Sequence, residues 1–161
     1  MVNTSGKKKE KVRFTRILLP LDGSKLGEAA LPYIESLAID TKAEVVLLQV
    51  VTPLSAHLLV AEGYLSQTAD KYIAMVSRTA KNYLDAVKER LMKLEIPVRC
   101  EVEAGSPAEK IISYAKENNI NLIAMSTHGH SGISRWLIGS VADKVLHATD
   151  IPVLLVRATE K

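Results

Sequence analysis

Cysteine is almost absent from this chain of 161 residues: Cys100 stands alone. That excludes an internal disulfide and any zinc or iron–sulfur site built from several thiolates. No long apolar run follows a basic start, so neither a signal peptide nor a membrane span is read, and a cytoplasmic protein is expected. The pattern GxxxxGK[ST] of P-loop NTPases is missing, and "GHSG" at residues 129–132 is not the glycine fingerprint of dinucleotide-binding Rossmann proteins. G-x-S-x-G is missing too, which speaks against a serine nucleophile on a strand-to-helix elbow. His128 and His130 are two residues apart, but no other histidine or cysteine lies near them, so a metal-dependent hydrolase is a distant reading.

What is present suits one domain. At this length a chain buries roughly 70% of the surface it exposes when unfolded. Its net charge of +3 is uneven: "MVNTSGKKKEKVR", residues 1–13, carries five basic side chains and one acidic. The rest is left near neutrality. Residues 1–13 are therefore read as a disordered basic tail without specific nucleic-acid or membrane partners, and residues 14–158 as the folded domain.

Compact apolar runs alternate with longer amphipathic stretches. "FTRILLPL" (14–21) and "EVVLLQVV" (44–51) suit strands covered on both faces. "PVRCEVEA" (97–104) alternates as an edge strand would, with Cys100 half-buried, and "INLIAMST" (120–127) and "IPVLLVRA" (151–158) complete five strands. The first helix is expected to bury Leu26, Ala30, Ile34 and Leu37, with Pro32 bending it. The second, about 67–94, repeats Ile73, Val76, Ala80, Leu84, Val87 and Leu91 on one face. Ser106, Pro107 and Glu109 have the pattern of a capped helix start, and Ser140 and Asp143 open the last helix similarly. Strand and helix in strict alternation predict an α/β fold, a single open five-stranded parallel sheet with helices on both faces. In such sheets ligands bind beyond the carboxyl ends of the strands, where the strand order reverses.

Three strand ends carry unusual chemistry. After the first come Asp22, Gly23 and Ser24, where a carboxylate could cap the next helix, meet a ribose hydroxyl, or hold a phosphate-bound metal. At the second, the backbone of Gln49 to Val51 could pair with the edge of a planar base. At the fourth come Ser126, Thr127, His128 and Gly129, with Gly139 and Ser140 at the following helix start. Glycine lets backbone approach a ligand and take positive φ, and a helix start offers unpaired N–H groups and partial positive charge. Asp143 in that first turn is expected to point outward. Trp136 and Leu137 are read as anchors that pack the loop.

Ser126, Thr127, His128 and Gly129, followed by nine residues "HSGISRWLI" and then Gly139 and Ser140, resemble a motif of the universal stress protein family. The nucleotide-binding branch of that family has glycine, two residues, glycine, nine residues, then glycine with serine or threonine. The likeness runs from about Phe14 to Arg157 and takes in "ILLPLDGS" and "VLHATDIPVLLVR". It implies a Rossmann-like fold of the adenine nucleotide alpha hydrolase kind, and a homodimer paired through the last strand, residues 151–157. It also implies a site for ATP or AMP, with magnesium held through the nucleotide by Asp22 as an option. By the same resemblance Pro20, Leu21 and Asp22 border adenine and ribose, and the Val50 backbone meets the adenine edge. Met125, Ser126, His128 and Gly129 line the ribose and phosphate path, while Gly139, Ser140 and Val141 hold the phosphates. The chain departs from the pattern at Ser126, where the family has its first glycine. The expected role is a stress-response regulator rather than an enzyme, with slow ATP hydrolysis or autophosphorylation at most, and with nucleotide shifting the 52–66 connection that meets partners. The alternative is an interaction module of the same fold that binds no nucleotide.

Overall fold

The computed structural model describes residues 13–52, 66–128 and 138–158. Strands β1 (Arg16–Pro20), β2 (Glu44–Val51), β3 (Val98–Ala104), β4 (Leu122–Ser126) and β5 (Val153–Val156) form one sheet, in the order β3-β2-β1-β4-β5. Every pairing is parallel. Parallel neighbours need crossover connections, and the helices of those crossovers are α1 (Leu31–Thr41), α2 (Ser66–Met92), α3 (Pro107–Glu117) and α4 (Ser140–Ala148).

Side chains of a strand alternate between faces, and the two cores divide accordingly. Ile17, Leu19, Val45 and Leu47 pack with Ile34 and Ala38 of α1 and with Leu84, Val87 and Leu91 of α2. Leu18, Val46, Leu48, Ile123 and Met125 pack on the other face with Ile111, Tyr114 and Ala115 of α3 and Ala142 and Val145 of α4. Ile17, Leu18, Leu19, Leu47 and Leu48 are fully buried, each worth about 1.5–3 kcal/mol relative to exposure. This explains why β1 and β2 read as continuous apolar runs. β3 lies at an edge, as its alternation predicts, and Cys100 is half-buried there.

Several local expectations are corrected. The chain after β1 makes a turn and a 3₁₀ segment, Gly27–Ala30, before α1 begins at Leu31. Pro32 sits not in the interior of α1 but in its first turn, where a residue has no intrahelical N–H bond to lose. On α2, Ala80, Leu84, Val87 and Leu91 are buried, whereas Ile73 and Val76 are only partly covered. Ser106 precedes α3 without a side-chain cap bond, so the capping box with Glu109 does not form. The N-cap of α4 is Gly139 rather than Ser140.

At the opposite end of the sheet Asn121 anchors the start of β1. Its side-chain oxygen accepts the N–H groups of Thr15 and Arg16, and its amide nitrogen donates to the Arg13 carbonyl and Thr15 Oγ1. The tail residues 1–12 lie outside the described residues, as does most of the 52–66 connection. Among the described residues, no helix is long and apolar enough to cross a membrane.

Candidate functional site

Strand order reverses between β1 and β4, which pair only at Ile17–Leu122 and Leu18–Ile123. Beyond that short pairing the two strands part, and a cleft of about 390 Å³ opens at their carboxyl ends. Pro20, Leu21, Asp22, Val50, Met125, Ser126, His128, Gly139, Ser140 and Val141 all line it. The structure thus brings together every site residue singled out in the sequence except Gly129, which lies outside the described residues with His130, Trp136 and Leu137.

Asp22 follows β1 in a tight turn. One oxygen of its carboxylate, Oδ1, accepts the Ser24 N–H at 3.0 Å and the Ser24 hydroxyl at 2.7 Å, and Ser24 Oγ in turn accepts the Gly27 N–H at 2.9 Å. Gly23 takes φ +83° in this turn, a region glycine enters at no steric cost. Asp22 and Ser24 therefore order the approach to the 3₁₀ segment; neither is the N-cap of α1, which is Ala30. Gly27 was missed in the sequence, where "KLGEAA" reads as helix interior. It lines the cleft, and a Cβ there would overlap the Asp22 carboxylate oxygen.

The Val50 edge follows from strand arithmetic. In a parallel strand, alternate residues turn their N–H and C=O groups to opposite neighbours. Leu48 faces β1, since its carbonyl accepts the Leu21 N–H at 2.8 Å, and Val51 faces β3, since its carbonyl accepts the Gly105 N–H at 2.9 Å. Val50 accordingly faces the side of β1, but the register of β1 with β2 ends at Pro20–Leu48. Its N–H and C=O are presented to the cleft as an adjacent donor and acceptor.

On the far wall, the Gly139 N–H donates to the Thr127 carbonyl at 2.7 Å, and the first bond of α4 runs from the Asp143 N–H to the Gly139 carbonyl at 2.9 Å. The N–H groups of Ser140, Val141 and Ala142, at the helix start, have no partner within the helix. No side chain caps α4. This end of the helix is therefore a concentration of unpaired donors with partial positive charge. Asp143 leans outward as expected, its carboxylate 3.5 Å from His147 Nδ1 and half exposed. Among the described lining residues Asp22 is the only carboxylate, and there is no lysine or arginine. Leu48, Gln49, Thr52, Pro107, Ile111, Thr127 and Ala142 complete the lining with Gly27; apart from Thr127 of the motif stretch and the Gln49 backbone, none was singled out for the site in the sequence, because their place depends on the fold and not on a local motif.

A second hollow, about 630 Å³, lies beside the first between the end of β2 and α2. Asp22, Gln49, Val50 and Thr52 border both, and Tyr72, Val76, Thr79, Ala80 and Tyr83 supply the α2 wall. The Tyr83 hydroxyl donates to Glu28 Oε1 at 2.8 Å. Burial, then that hydrogen bond and the neighbouring carboxylates of Glu28 and Asp22, hold its proton on well above the ordinary tyrosine range. Among the described residues no three His, Cys, Asp or Glu side chains gather to hold a metal ion.

Comparison with known proteins bears on this geometry. Universal stress protein MJ0531 of Methanocaldococcus jannaschii is 29% identical over 148 residues, covering 92% of this chain and 85% of the relative. For MJ0577 of the same organism, the solved structure has a TM-score of 0.83 at 25% identity, covering 93% of this chain and 100% of the other. Two further solved structures share the fold at lower identity. One is a universal stress protein in complex with cAMP (TM-score 0.66, 17% identity, 92% of this chain and all of the other). The other is an Arabidopsis thaliana family member with AMP bound (TM-score 0.64, 13% identity, 90% of this chain and 92% of the other). The family model described as "Universal stress protein family" matches residues 13–157, the whole span from the Asn121-anchored start of β1 to the end of β5, and by that match the chain belongs to the universal stress protein family.

Proposed function

We propose that the cleft binds an adenine nucleotide, ATP or AMP, and that the protein is a homodimeric, nucleotide-responsive regulator of the stress response. The observation that carries this reading is the Val50 backbone, whose N–H and C=O face the cleft where β1 has ended. Adenine presents an acceptor at N1 beside a donor at its exocyclic amine, the complement of that pair. The unpaired N–H groups at the start of α4 lie across the same cleft, where a phosphate would receive charge-assisted hydrogen bonds of roughly 1.5–3 kcal/mol each. The apolar walls, among them Leu21, Ile111 and Met125, suit the faces of a base. Family relatives with bound cAMP and AMP support the ligand class.

Binding rather than turnover is the function read here. Oδ1 of Asp22 is already engaged by Ser24, and no second carboxylate of the described lining residues stands ready to activate water. Magnesium would arrive with the nucleotide and meet Asp22. The dimer reading rests on β5, which has β4 on one side only and exposes parts of Val153, Leu154 and Leu155. An apolar edge strand of this kind invites pairing with a second copy.

Mass spectrometry of small molecules released by heat from the purified protein tests the ligand, and sedimentation equilibrium tests the dimer. Co-purified adenine nucleotide is expected. Its absence, together with no titration heat for ATP or AMP at millimolar concentration, would leave the alternative of a dimeric interaction module with an empty cleft. A monomer at micromolar concentration would refute the β5 pairing.

A further inference from the structure

Ser126 is the one buried polar residue among the described residues, 7% exposed at the carboxyl end of β4. Its backbone is paired with Val156 of β5 and is not among those with positive φ. Serine therefore sits there without backbone strain, and the position has no steric demand for glycine. Its hydroxyl oxygen accepts the His128 N–H at 3.3 Å. An accepting hydroxyl still has its own proton to donate. Beside it the His128 ring has Nδ1 3.0 Å from Thr127 Oγ1, while Nε2 is buried without a partner. The β4 wall of the cleft thus carries a Ser126 hydroxyl with a proton left to donate, and one backbone N–H already taken.

We propose that Ser126 makes this cleft selective for an adenine nucleotide carrying one phosphate over one carrying three. The assignment rests on the adenine-nucleotide reading above. A chain of phosphates needs a succession of donors, and among the described lining residues those donors are limited. The N–H groups of Ser140, Val141 and Ala142 converge at one helix start and suit one phosphate. A glycine at position 126 would leave the His128 N–H free for a further phosphate oxygen; the serine hydroxyl occupies that N–H and adds a Cβ and an oxygen to the wall. The Ser126 proton is better matched to a single oxygen, from a ribose hydroxyl or the first phosphate. Among the described lining residues no lysine or arginine offsets the charge of additional phosphates.

Calorimetric titration of the purified full chain with AMP and with ATP, each with and without magnesium, tests this in the native protein and in Ser126→Gly and Ser126→Ala. The native protein should bind AMP about tenfold more tightly than ATP, the scale of one hydrogen bond to a charged group. Ser126→Gly should shift the ratio toward ATP by about tenfold. Ser126→Ala, which frees the His128 N–H but keeps a Cβ, should fall between. Binding of both nucleotides with the same ratio in native protein and Ser126→Gly overturns the assignment to Ser126 and leaves the nucleotide reading standing. No binding of either nucleotide to any of the three proteins overturns both.

Discussion

The backbone N–H of Gly139 donates to the carbonyl oxygen of Thr127 across 2.7 Å, tying the start of α4 to the end of β4. This contact fixes the start of α4 against β4 on one wall of the cleft. It also shows what the glycine is for. Gly139 has φ −59°, which any residue can adopt, so positive φ is not the reason. A Cβ there would lie 2.9 Å from the Thr127 carbonyl oxygen, closer than such contacts allow. Glycine is needed because two pieces of backbone touch.

Gly139→Ala should therefore push α4 away from β4. The overpacking should lower stability by about 1–3 kcal/mol, measured by urea unfolding, and weaken nucleotide binding at least tenfold by titration. Unchanged affinity would mean that the α4 start does not hold the ligand.

Gly27→Ala tests the other wall. The added methyl would meet the Asp22 carboxylate, which is held by Ser24. The turn after β1 must then open, at a cost of about 1–3 kcal/mol. Ser24→Ala, which removes both the hydroxyl bond to Asp22 and the acceptor for the Gly27 N–H, should cost about 1 kcal/mol. Urea unfolding of both variants checks the order of the two effects.

Tyr83 predicts a pH dependence at the alkaline end. Its proton is held more tightly in the folded protein than in the unfolded chain, chiefly by burial and then by the bond to Glu28. A group whose folded pKa is raised contributes stability fully below its unfolded pKa, and this is lost as pH rises toward the folded value. Stability should therefore decline above about pH 10, the ordinary tyrosine range. Tyr83→Phe should flatten that part of the profile, read as melting temperature against pH. The same slope in both proteins would contradict it.

Cys100 should be slow to react. Burial, and after it the charge of Asp85, raises its thiol pKa, and the thiol donates weakly to the Leu84 carbonyl at 3.6 Å. Thiolate is the reactive form, so alkylation by iodoacetamide at neutral pH should be slower than for free cysteine and should accelerate on unfolding in urea. Rapid alkylation of the native protein would contradict the burial.

Much of this architecture was legible in the residues, and the exceptions have physical reasons. β2 matches the apolar run 44–51 end to end because every residue has a partner in β3 or β1. β1, β4 and β5 are shorter than their runs because a strand ends where pairing ends, and pairing belongs to the neighbour. The cleft residues could be gathered because three strand ends, those of β1, β2 and β4, converge where the order reverses, as the fold class requires. Gly27 was illegible because its demand comes from Asp22 across a turn. The capping box at Ser106 and Glu109 matches its pattern and still does not form, because it depends on side-chain placement that the pattern alone does not fix. The family's glycine pattern located Ser126 but not its bond to His128, which depends on side-chain placement.

The central claim is that the Val50 backbone reads an adenine edge, and titration with AMP against IMP tests it most directly. Hypoxanthine presents a donor at N1 and an acceptor at its exocyclic oxygen, the reverse of adenine, and leaves the sugar and phosphate unchanged. Against the Val50 N–H and C=O both hydrogen bonds are then lost, at about 1–3 kcal/mol for each group left unpaired. AMP should bind at least tenfold more tightly than IMP; equal affinities would contradict the account.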